Sequence, residues 1–434
     1  MLKRVLIITY YWPPAGGGGV QRWVKFVKYL RDFGWEPIVF TVENGDYPIL
    51  DPTLNEEIPA NIDIVRQAII EPYTLYRKFA GMSKDSKIDA NFLSQGKKLS
   101  FIDKLAVWIR GNIFIPDARF LWIRPSAKTL IQYLKTHKVD AMVSTGPPHS
   151  CHLIAKQIKT KINIPWMVDY RDPWTQIDYF DDLKLTYFAR KRHQNLEKSV
   201  LNHCDIIVTI GKTMASDLKS ITKTKTKVIT NGYDQSDRIS GKIVLDKKFT
   251  ITYIGTMNAS RNPEILWKSI QKLKSENHKM IQDVSVNLVG NPESIVQQSI
   301  SEYGLDHYVN YVGYVPHGEA IKYQNTAQLL LLVINRTTNN KSILTGKIFE
   351  YLASGRPIIC IGPKDGDAAE IIHSSASGIM IDYEETDQLT SYLKLSYERF
   401  LNRDLENLSS GIEMYSRKNL TGKLADILNE ISDK

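Results

Sequence analysis

The sequence predicts an α/β protein made of two parallel-sheet domains in tandem. Three observations carry that expectation. At 434 residues the chain is too long for one ordinary core. Residues 3–42 read as strand, glycine-rich loop, helix and strand, which is a βαβ unit. After a polar, charged stretch at 235–248, a linker candidate, the alternation restarts at residue 249 and runs to about 381.

The elements follow in order. Residues 3–9 (KRVLIIT) form a short apolar run bounded by Pro and Gly, hence a buried strand. Val20, Val24, Val27 and Leu30 then recur at helical spacing, Gly34 closes that helix, and residues 37–42 (PIVFTV) give the next strand. Between them four consecutive glycines, Gly16 to Gly19, would let a ligand approach the backbone at the mouth of a parallel sheet. A dinucleotide fingerprint is the rival reading, but no third spaced glycine follows and Glu43-Asn44 fits the acidic position weakly. Further strands are expected at 139–145, 166–170 and 205–210, with helices at 152–159 and 183–202. Polar residues gather at the carboxyl ends of these strands, where open α/β sheets bind ligands. His149 and His152 follow the first, and Asp169, Arg171 and Asp172 end the second. Each also has a plainer reading, as a structural histidine or a structural ion pair. In the second half, strands are expected at 249–255, 284–290, 309–315, 329–334, 357–362 and 378–381, and residues 387–434 read as amphipathic helix.

Composition bounds the function. Apolar and charged fractions are those of an ordinary globular protein, and the net charge of +9 suits an anionic partner. No stretch approaches ~18 uninterrupted apolar residues, so no transmembrane helix is expected. Three cysteines, Cys151, Cys204 and Cys360, show no metal-type spacing and read as reduced core thiols of a cytoplasmic protein. Residues 71–138 are the least regular part of the first half. Their Lys and Arg residues are interleaved with Tyr, Phe and Trp. Such a mixture describes an interfacial membrane surface or a solvated helical insertion. It also describes a nucleic-acid surface, for which no accompanying signature exists.

The sharpest stretch is residues 342–359, SILTGKIFEYLASGRPII. Thr345-Gly346 looks like a helix start with Thr345 as N-cap, and Gly355 with Pro357 ends the helix. Ile348, Phe349, Leu352 and Ala353 share one face, while Lys347, Glu350 and Ser354 fall on the other. A helix N-terminus with a lysine in its first turn is a ready phosphate site. A carboxylate one turn deeper can accept hydrogen bonds from vicinal hydroxyls such as a ribose carries. The physical reading is a nucleoside diphosphate site. The same spacing also describes a solvated pair on an ordinary amphipathic helix.

The segment Thr345–Pro357 resembles the donor-binding helix of GT-B-fold glycosyltransferases, with family 4, in its bacterial cell-surface polysaccharide branch, the nearest match. Other segments are similar to the same family: YYWPPAGGGGVQR at 10–22, TGPPH at 145–149, DYRDPW at 169–174 and YIGTMNASRNP at 253–263. The resemblance implies a GT-B fold, two Rossmann-like domains facing a central cleft. Its boundaries here are 1–236 for an acceptor-binding domain, 237–410 for a nucleotide-sugar domain, and 411–434 for a helix packing back on the first. It implies a donor site of Gly18, Gly19, Gly255, Arg261, Gly290, Tyr314, Thr345, Gly346, Lys347 and Glu350. Arg261 stands where the family shows a lysine six residues after the glycine, and can clamp a diphosphate bidentately. It implies His149 near the reacting carbon and Asp172 on the acceptor side. Two departures stand out: Thr256 follows Gly255 where an Arg is usual, and Ser342 stands eight residues before Glu350 where a second Glu is often found.

The expected activity is transfer of a hexose or hexosamine from a UDP- or GDP-linked sugar to a saccharide acceptor, expected to be lipid-linked, in cell-surface polysaccharide synthesis. The resemblance implies retention of configuration. No Asp-x-Asp motif follows a strand, so metal independence is expected, with no cofactor besides the donor. The expected location is cytoplasmic, with peripheral contact at the inner membrane face through residues 71–125 and no nucleic-acid partner. The alternatives are a GT-B nucleotide-sugar epimerase, a nicotinamide-dependent oxidoreductase using the Gly16 to Gly19 loop, and a catalytically weak nucleotide-binding scaffold.

Overall fold

The structure, a computed structural model, describes residues 2–70, 101–177, 180–237, 243–405 and 409–433. Much of the basic-aromatic segment, residues 71–100, and residues 238–242 of the linker candidate lie outside the described residues. The chain divides into two compact units, Met1–Thr230 with Arg417–Lys434, and Asn231–Ser416. Each carries one parallel sheet. No helix among the described residues is long and apolar enough to cross a membrane.

The first unit holds seven strands in the order β3-β2-β1-β4-β5-β6-β7. These are β1 (Lys3–Ile8), β2 (Trp35–Val42), β3 (Asp63–Gln67), β4 (Ala141–Gly146), β5 (Trp166–Tyr170), β6 (Ile206–Thr209) and β7 (Thr226–Val228). The order reverses direction at β1 and β4, whose carboxyl ends open a crevice at the switch point. β4 and β5 are buried along their whole length, as strands covered on both faces must be. Helices α1 (Gly18–Leu30), α2 (Phe101–Asn112), α3 (Ile123–Leu134), α4 (Ser150–Lys161) and α5 (Tyr187–His203) are the ones that matter for function. β3 was not expected from the sequence. It is a polar, half-exposed strand at the sheet edge, so it offers no apolar run to recognise.

The second unit holds six strands in the order β10-β9-β8-β11-β12-β13. They are β8 (Phe249–Ile254), β9 (Val284–Val289), β10 (Val309–Gly313), β11 (Leu329–Val333), β12 (Ile358–Ile361) and β13 (Gly378–Ile381). Helix α6 (Lys347–Ser354) connects β11 to β12. Gly355 ends it in the left-handed region at φ 68°, as a C-terminal glycine should. The two sheets thus restate the GT-B pattern expected from the sequence.

The last helix, α7 (Arg417–Ser432), belongs to the first unit. Leu420, Leu424, Leu428 and Ile431 recur at helical spacing and join the core that Val20, Trp23, Val24 and Val27 of α1 build over β1. Glu430 bridges Lys225 and Lys227, each at 2.6 Å. The three cysteines are buried and unpaired.

Asp169, at the end of β5, is the pin of this unit. It is fully buried. Arg22 of α1 grips it in a fork, Nη2 to Oδ1 at 3.0 Å and Nε to Oδ2 at 3.4 Å. Trp23 Nε1 and Thr145 Oγ1 donate to Oδ2 at 2.7 and 2.8 Å. Arg22 also donates to the carbonyls of Thr230 and Ile229 beyond β7. Burial opposes ionisation of Asp169, but Arg22 and Arg171, with the hydrogen bonds from Arg22 and Thr145, outweigh it and hold its pKa below the ordinary value.

Removing Arg22 leaves that carboxylate buried with its main partner gone. Arg22→Met is expected to cost about 3–5 kcal/mol of unfolding free energy at neutral pH. Because the folded pKa of Asp169 is depressed, its share is fully present above the unfolded pKa and is lost as pH falls through the folded one. Urea unfolding of both proteins should show a constant gap above about pH 4 that narrows on further acidification.

Candidate functional site

In the second unit the site is built from glycines at three consecutive strand ends. Gly255 after β8, Gly290 after β9 and Gly313 closing β10 have φ of 110°, 130° and 80°. Gly255 N–H donates to Val289 O and Gly290 N–H to Gly313 O, both at 2.7 Å. A Cβ on Gly290 would overlap the Gly255 carbonyl, and a Cβ on Gly255 would overlap the Lys347 ammonium. The glycines therefore allow one close stack: backbone on backbone, with Lys347 Nζ above it.

Lys347 opens α6. Its Nζ lies 3.5 Å from Tyr253 Oη and 4.8 Å from the centre of that ring. No carboxylate among the described residues forms an ion pair with it. Burial, reinforced by the positive charge of Arg261 and only partly opposed by Glu350, pushes its pKa down to about 8. Arg261 is held by Nε donating to Asn335 Oδ1 at 2.6 Å. A desolvated ammonium thus stands at a helix N-terminus with a second cation near it, an arrangement that calls for an anion. Glu350, one turn on, accepts from Gln324 Nε2 at 3.2 Å and lines a small pocket with Tyr233, His317, Asn325, Ala353 and Ser354. Tyr351 fixes α6 itself: its buried hydroxyl accepts the Ile254 N–H at 3.1 Å.

One detail differs from the sequence reading. Thr345 is not the N-cap: Gly346 occupies that position in helical conformation, and no side chain caps it. Thr345 Oγ1 is instead a buried atom without a partner, while its carbonyl accepts from Ile348 N–H. Tyr314 stands just past β10 and is 84% exposed. Ser342 turns its hydroxyl back onto Asn339 O at 2.9 Å, inside its own 3-10 turn. The sequence reading missed Tyr253, Gln324 and Asn335. Asn335 follows β11 directly, so the strand-end rule could have found it. Gln324 sits on a helix with no such signal.

In the first unit, Gly17 at φ 103° precedes α1, and Gly18 and Gly19 form its first turn. Open space surrounds Gly17 and Gly18. At Gly19 a Cβ would overlap the Arg171 guanidinium, so the missing side chain makes room for Arg171. Arg171 is anchored by donating to the Gly146 and Pro147 carbonyls at 3.2 and 2.9 Å. The glycine loop and the ends of β4 and β5 are thereby joined.

His149 immediately precedes α4 and stacks face to face on Trp174, 4.6 Å between centroids and 3° between planes. Its Nδ1 is buried without a partner. Burial, then the neighbouring His152, His193 and Arg171, lower its pKa well below the ordinary value, so the imidazole is neutral at physiological pH. Trp174 Nε1 donates to His193 Nδ1 at 3.0 Å, and His193 Nε2 reaches Gly111 O at 3.2 Å, which fixes the stacking plate. His152 is different: it is fully buried, paired to Ser144 Oγ at 2.8 Å, and pushed by burial to about 3. It is a structural histidine. Asp172 lies half-buried in the loop between Arg171 and Trp174.

A family model described as "Glycosyltransferase Family 4" matches residues 90–237, and one described as "Glycosyl transferases group 1" matches residues 248–397. A search of curated proteins gives no significant match. Among solved structures the chain is similar to the lipopolysaccharide outer core galactosyltransferase WaaB at 12% identity and TM-score 0.58, covering 98% of this chain and 99% of that one. It is similar to TarM from S. aureus, solved with fondaparinux, α-GlcNAc-glycerol and UDP, at 12% identity and TM-score 0.59, covering 99% and 100%. It is also similar to a protein described as a UDP-N-acetylglucosamine 2-epimerase from Listeria monocytogenes, at 10% identity and TM-score 0.56, covering 100% and 98%. At these identities the likenesses speak for the fold alone; both family models are of glycosyltransferases.

The lowered pKa of Lys347 sets a test. An anion bound at Lys347 favours its charged form, so binding is coupled to proton uptake above about pH 8. Calorimetric titration with a nucleoside diphosphate should show affinity level just below pH 8 and falling above it. The observed heat at about pH 9 should vary with buffer ionisation enthalpy, and Lys347→Gln should remove that dependence.

Proposed function

The chain belongs to the GT-B-fold glycosyltransferases of family 4, and we propose that it moves a hexose or hexosamine from a UDP- or GDP-linked sugar to a saccharide acceptor in cell-surface polysaccharide synthesis. The observation that carries this reading is the Lys347 ammonium, desolvated at a helix N-terminus, beside Arg261 and without a carboxylate partner. Negative charge grows on the leaving diphosphate as the sugar departs. Preformed cations in a dry site stabilise that growth more than they stabilise the ground state. In this reading Lys347 and Arg261 supply the charge that a metal supplies elsewhere, so transfer is metal-independent. Glu350, oriented by Gln324, receives the ribose hydroxyls. TarM is solved with UDP, which supports a uridine donor.

On the first unit, the neutral His149, held by the Trp174 plate, contacts the transferred sugar, and Asp172 serves the acceptor side. The reaction proceeds with retention. The acceptor is lipid-linked and the enzyme works at the inner membrane face. The printed roles of WaaB and of WaaG, a glycosyltransferase involved in lipopolysaccharide biosynthesis, support that setting. One observation favours the scaffold reading: Ser342 spends its hydroxyl on its own turn instead of presenting a carboxylate.

The test is release of nucleoside diphosphate from a panel of UDP- and GDP-sugars, with lipid-oligosaccharide extracts as acceptors and with or without EDTA. Turnover with one donor, unchanged by EDTA, is expected. Lys347→Ala should lower kcat by roughly 10²–10³-fold. Nucleotide binding without turnover on any acceptor would put the scaffold reading first.

A further inference from the structure

We propose that Glu197, on the buried face of α5, is a positioning residue for sugar transfer: it ties down the loop 171–175 and so sets the Trp174 plate that orients His149. The proposal rests on the reading of His149 as the group that contacts the transferred sugar.

Helix α5 turns Ala189, His193, Glu197, Val200 and Leu201 to the interior. Their spacing is that of one helical face, where apolar residues belong, yet His193 and Glu197 stand at its centre. Glu197 is 2% exposed. Arg190, Lys191, Arg192 and Lys198 ride on the same helix, but among the described residues none of them pairs with it. Its partners are uncharged donors instead. Tyr170 Oη and the Thr175 N–H donate to Oε1, the latter at 3.3 Å, and Thr175 Oγ1 donates to Oε2. Burial, and then the charge of Glu197, raise the pKa of Tyr170 well above its ordinary value, so the hydroxyl keeps the proton it donates. A buried polar group is costly unless its hydrogen bonds are made. Here they all go to the two residues that bracket one loop.

Tyr170 is the last residue of β5, so the loop is held at its start and at Thr175. Between these points Tyr170 Oη accepts the Trp174 N–H at 2.8 Å. Glu197 thus reaches the Trp174 backbone through one hydroxyl. His193, one turn earlier on α5, accepts from the indole of the same residue. Ring and backbone of Trp174 are therefore fixed from a single helix face. Arg171, at the other end of the loop, donates to the Pro147 carbonyl, two residues before His149.

His149 depends on that plate. Among the described residues no hydrogen bond reaches its ring, and Nδ1 is buried without a partner. Its placement comes from the stack on Trp174, with the rings of His152 and Tyr170 farther off at 5.8 and 5.9 Å. The imidazole nitrogens are thereby left to a ligand, but their direction is only as good as that of the plate. Hydrogen bonds weaken steeply when bent. A displacement of about 1 Å can cost roughly 10²-fold in rate. Asp172 lies on the same loop, so one carboxylate places both residues of the first unit that the proposed function uses. Asp169 differs: its charge is closed by Arg22, and it locks α1 to the sheet rather than the loop to α5.

The experiment pairs a spectrum with a rate. The full chain is labelled with ¹³C in its nine histidine rings, and the His149 signal is identified by its loss in His149→Gln. Stacking on the indole should hold that signal upfield. Glu197→Leu is close in size but accepts nothing. It should move the signal downfield and lower kcat by about 10²-fold, with the donor KM nearly unchanged. Glu197→Gln, which can still accept from Tyr170, should restore most of both. Val200→Ala, on the same buried face but away from the loop, should lower Tm and leave signal and kcat in place. Where Glu197→Leu does not fold, Tyr170→Phe removes only the hydroxyl between Glu197 and Trp174 and should show the same changes in smaller measure. An unmoved His149 signal in these loop variants would overturn the positioning role. So would full turnover in Glu197→Leu beside an impaired His149→Gln, or a kcat loss in Val200→Ala as large as that in Glu197→Leu. Unchanged kcat in His149→Gln would instead sink the reading of His149 itself. An intact chain without turnover on any donor would sink transfer, and this role with it.

Discussion

The buried charge of Asp169 is the constraint on which the first unit depends. A carboxylate with no solvent is tolerable only when every lone pair is engaged and a cation stands close. Arg22, Trp23 and Thr145 meet that demand, and they come from α1 and the end of β4. Satisfying one ion therefore fixes the helix after the glycine loop against two strand ends. Arg171, two residues on from Asp169, extends the same logic by packing on Gly19 and holding the Gly146–Pro147 carbonyls. His149 follows β4 and Trp174 follows β5, so both start from this framework, and their stacking and the Trp174–His193 hydrogen bond complete their placement. The loss of stability that a buried ion pair risks is accepted for a unique arrangement of three loops.

The second unit treats its buried charge in the opposite way. Lys347 is dried by the glycine stack and Tyr253 and then left without a carboxylate. Arg261 adds like charge instead of relieving it. A group kept in its less comfortable state by burial is poised for a ligand that restores the favourable one. The contrast distinguishes structural from functional charge without appeal to position in the chain: one network is closed, and the other lacks a partner.

Much of this was legible in the sequence because parallel strands buried on both faces are continuous apolar runs. β1, β11 and β12 announce themselves that way. β3 did not, since an edge strand reading DIVRQ needs no apolar alternation. Lys347, Glu350, Arg261 and His149 were legible because helix starts and strand ends are where backbone groups and ligands meet. Gly19 was legible as a glycine but not in its purpose: only the folded chain shows that Arg171 fills the space. Thr345 failed as a cap because the turn before α6 carries Gly346 into helical conformation, one residue later than the Thr-Gly pattern suggests. Gln324 could not be found at all, since its contact with Glu350 joins residues 26 apart on separate helices.

Helix α6 shows how a short element can be placed accurately enough for chemistry. Eight residues give it little stability of its own. Its position comes from both faces of one turn spacing. Ile348, Phe349 and Leu352 are buried, while Tyr351, at i+4 from Lys347, closes a hydrogen bond to the Ile254 N–H at the very end of β8. One residue later the chain turns at Gly255, against which the lysine rests. The tyrosine therefore ties the helix to the strand at the point where the ammonium meets the backbone. Burial raises its pKa, so the hydroxyl stays protonated and offers Lys347 no counter-charge. The anchoring group is thus close to Lys347 without neutralising it, and the vacancy for an anion survives the packing that creates it.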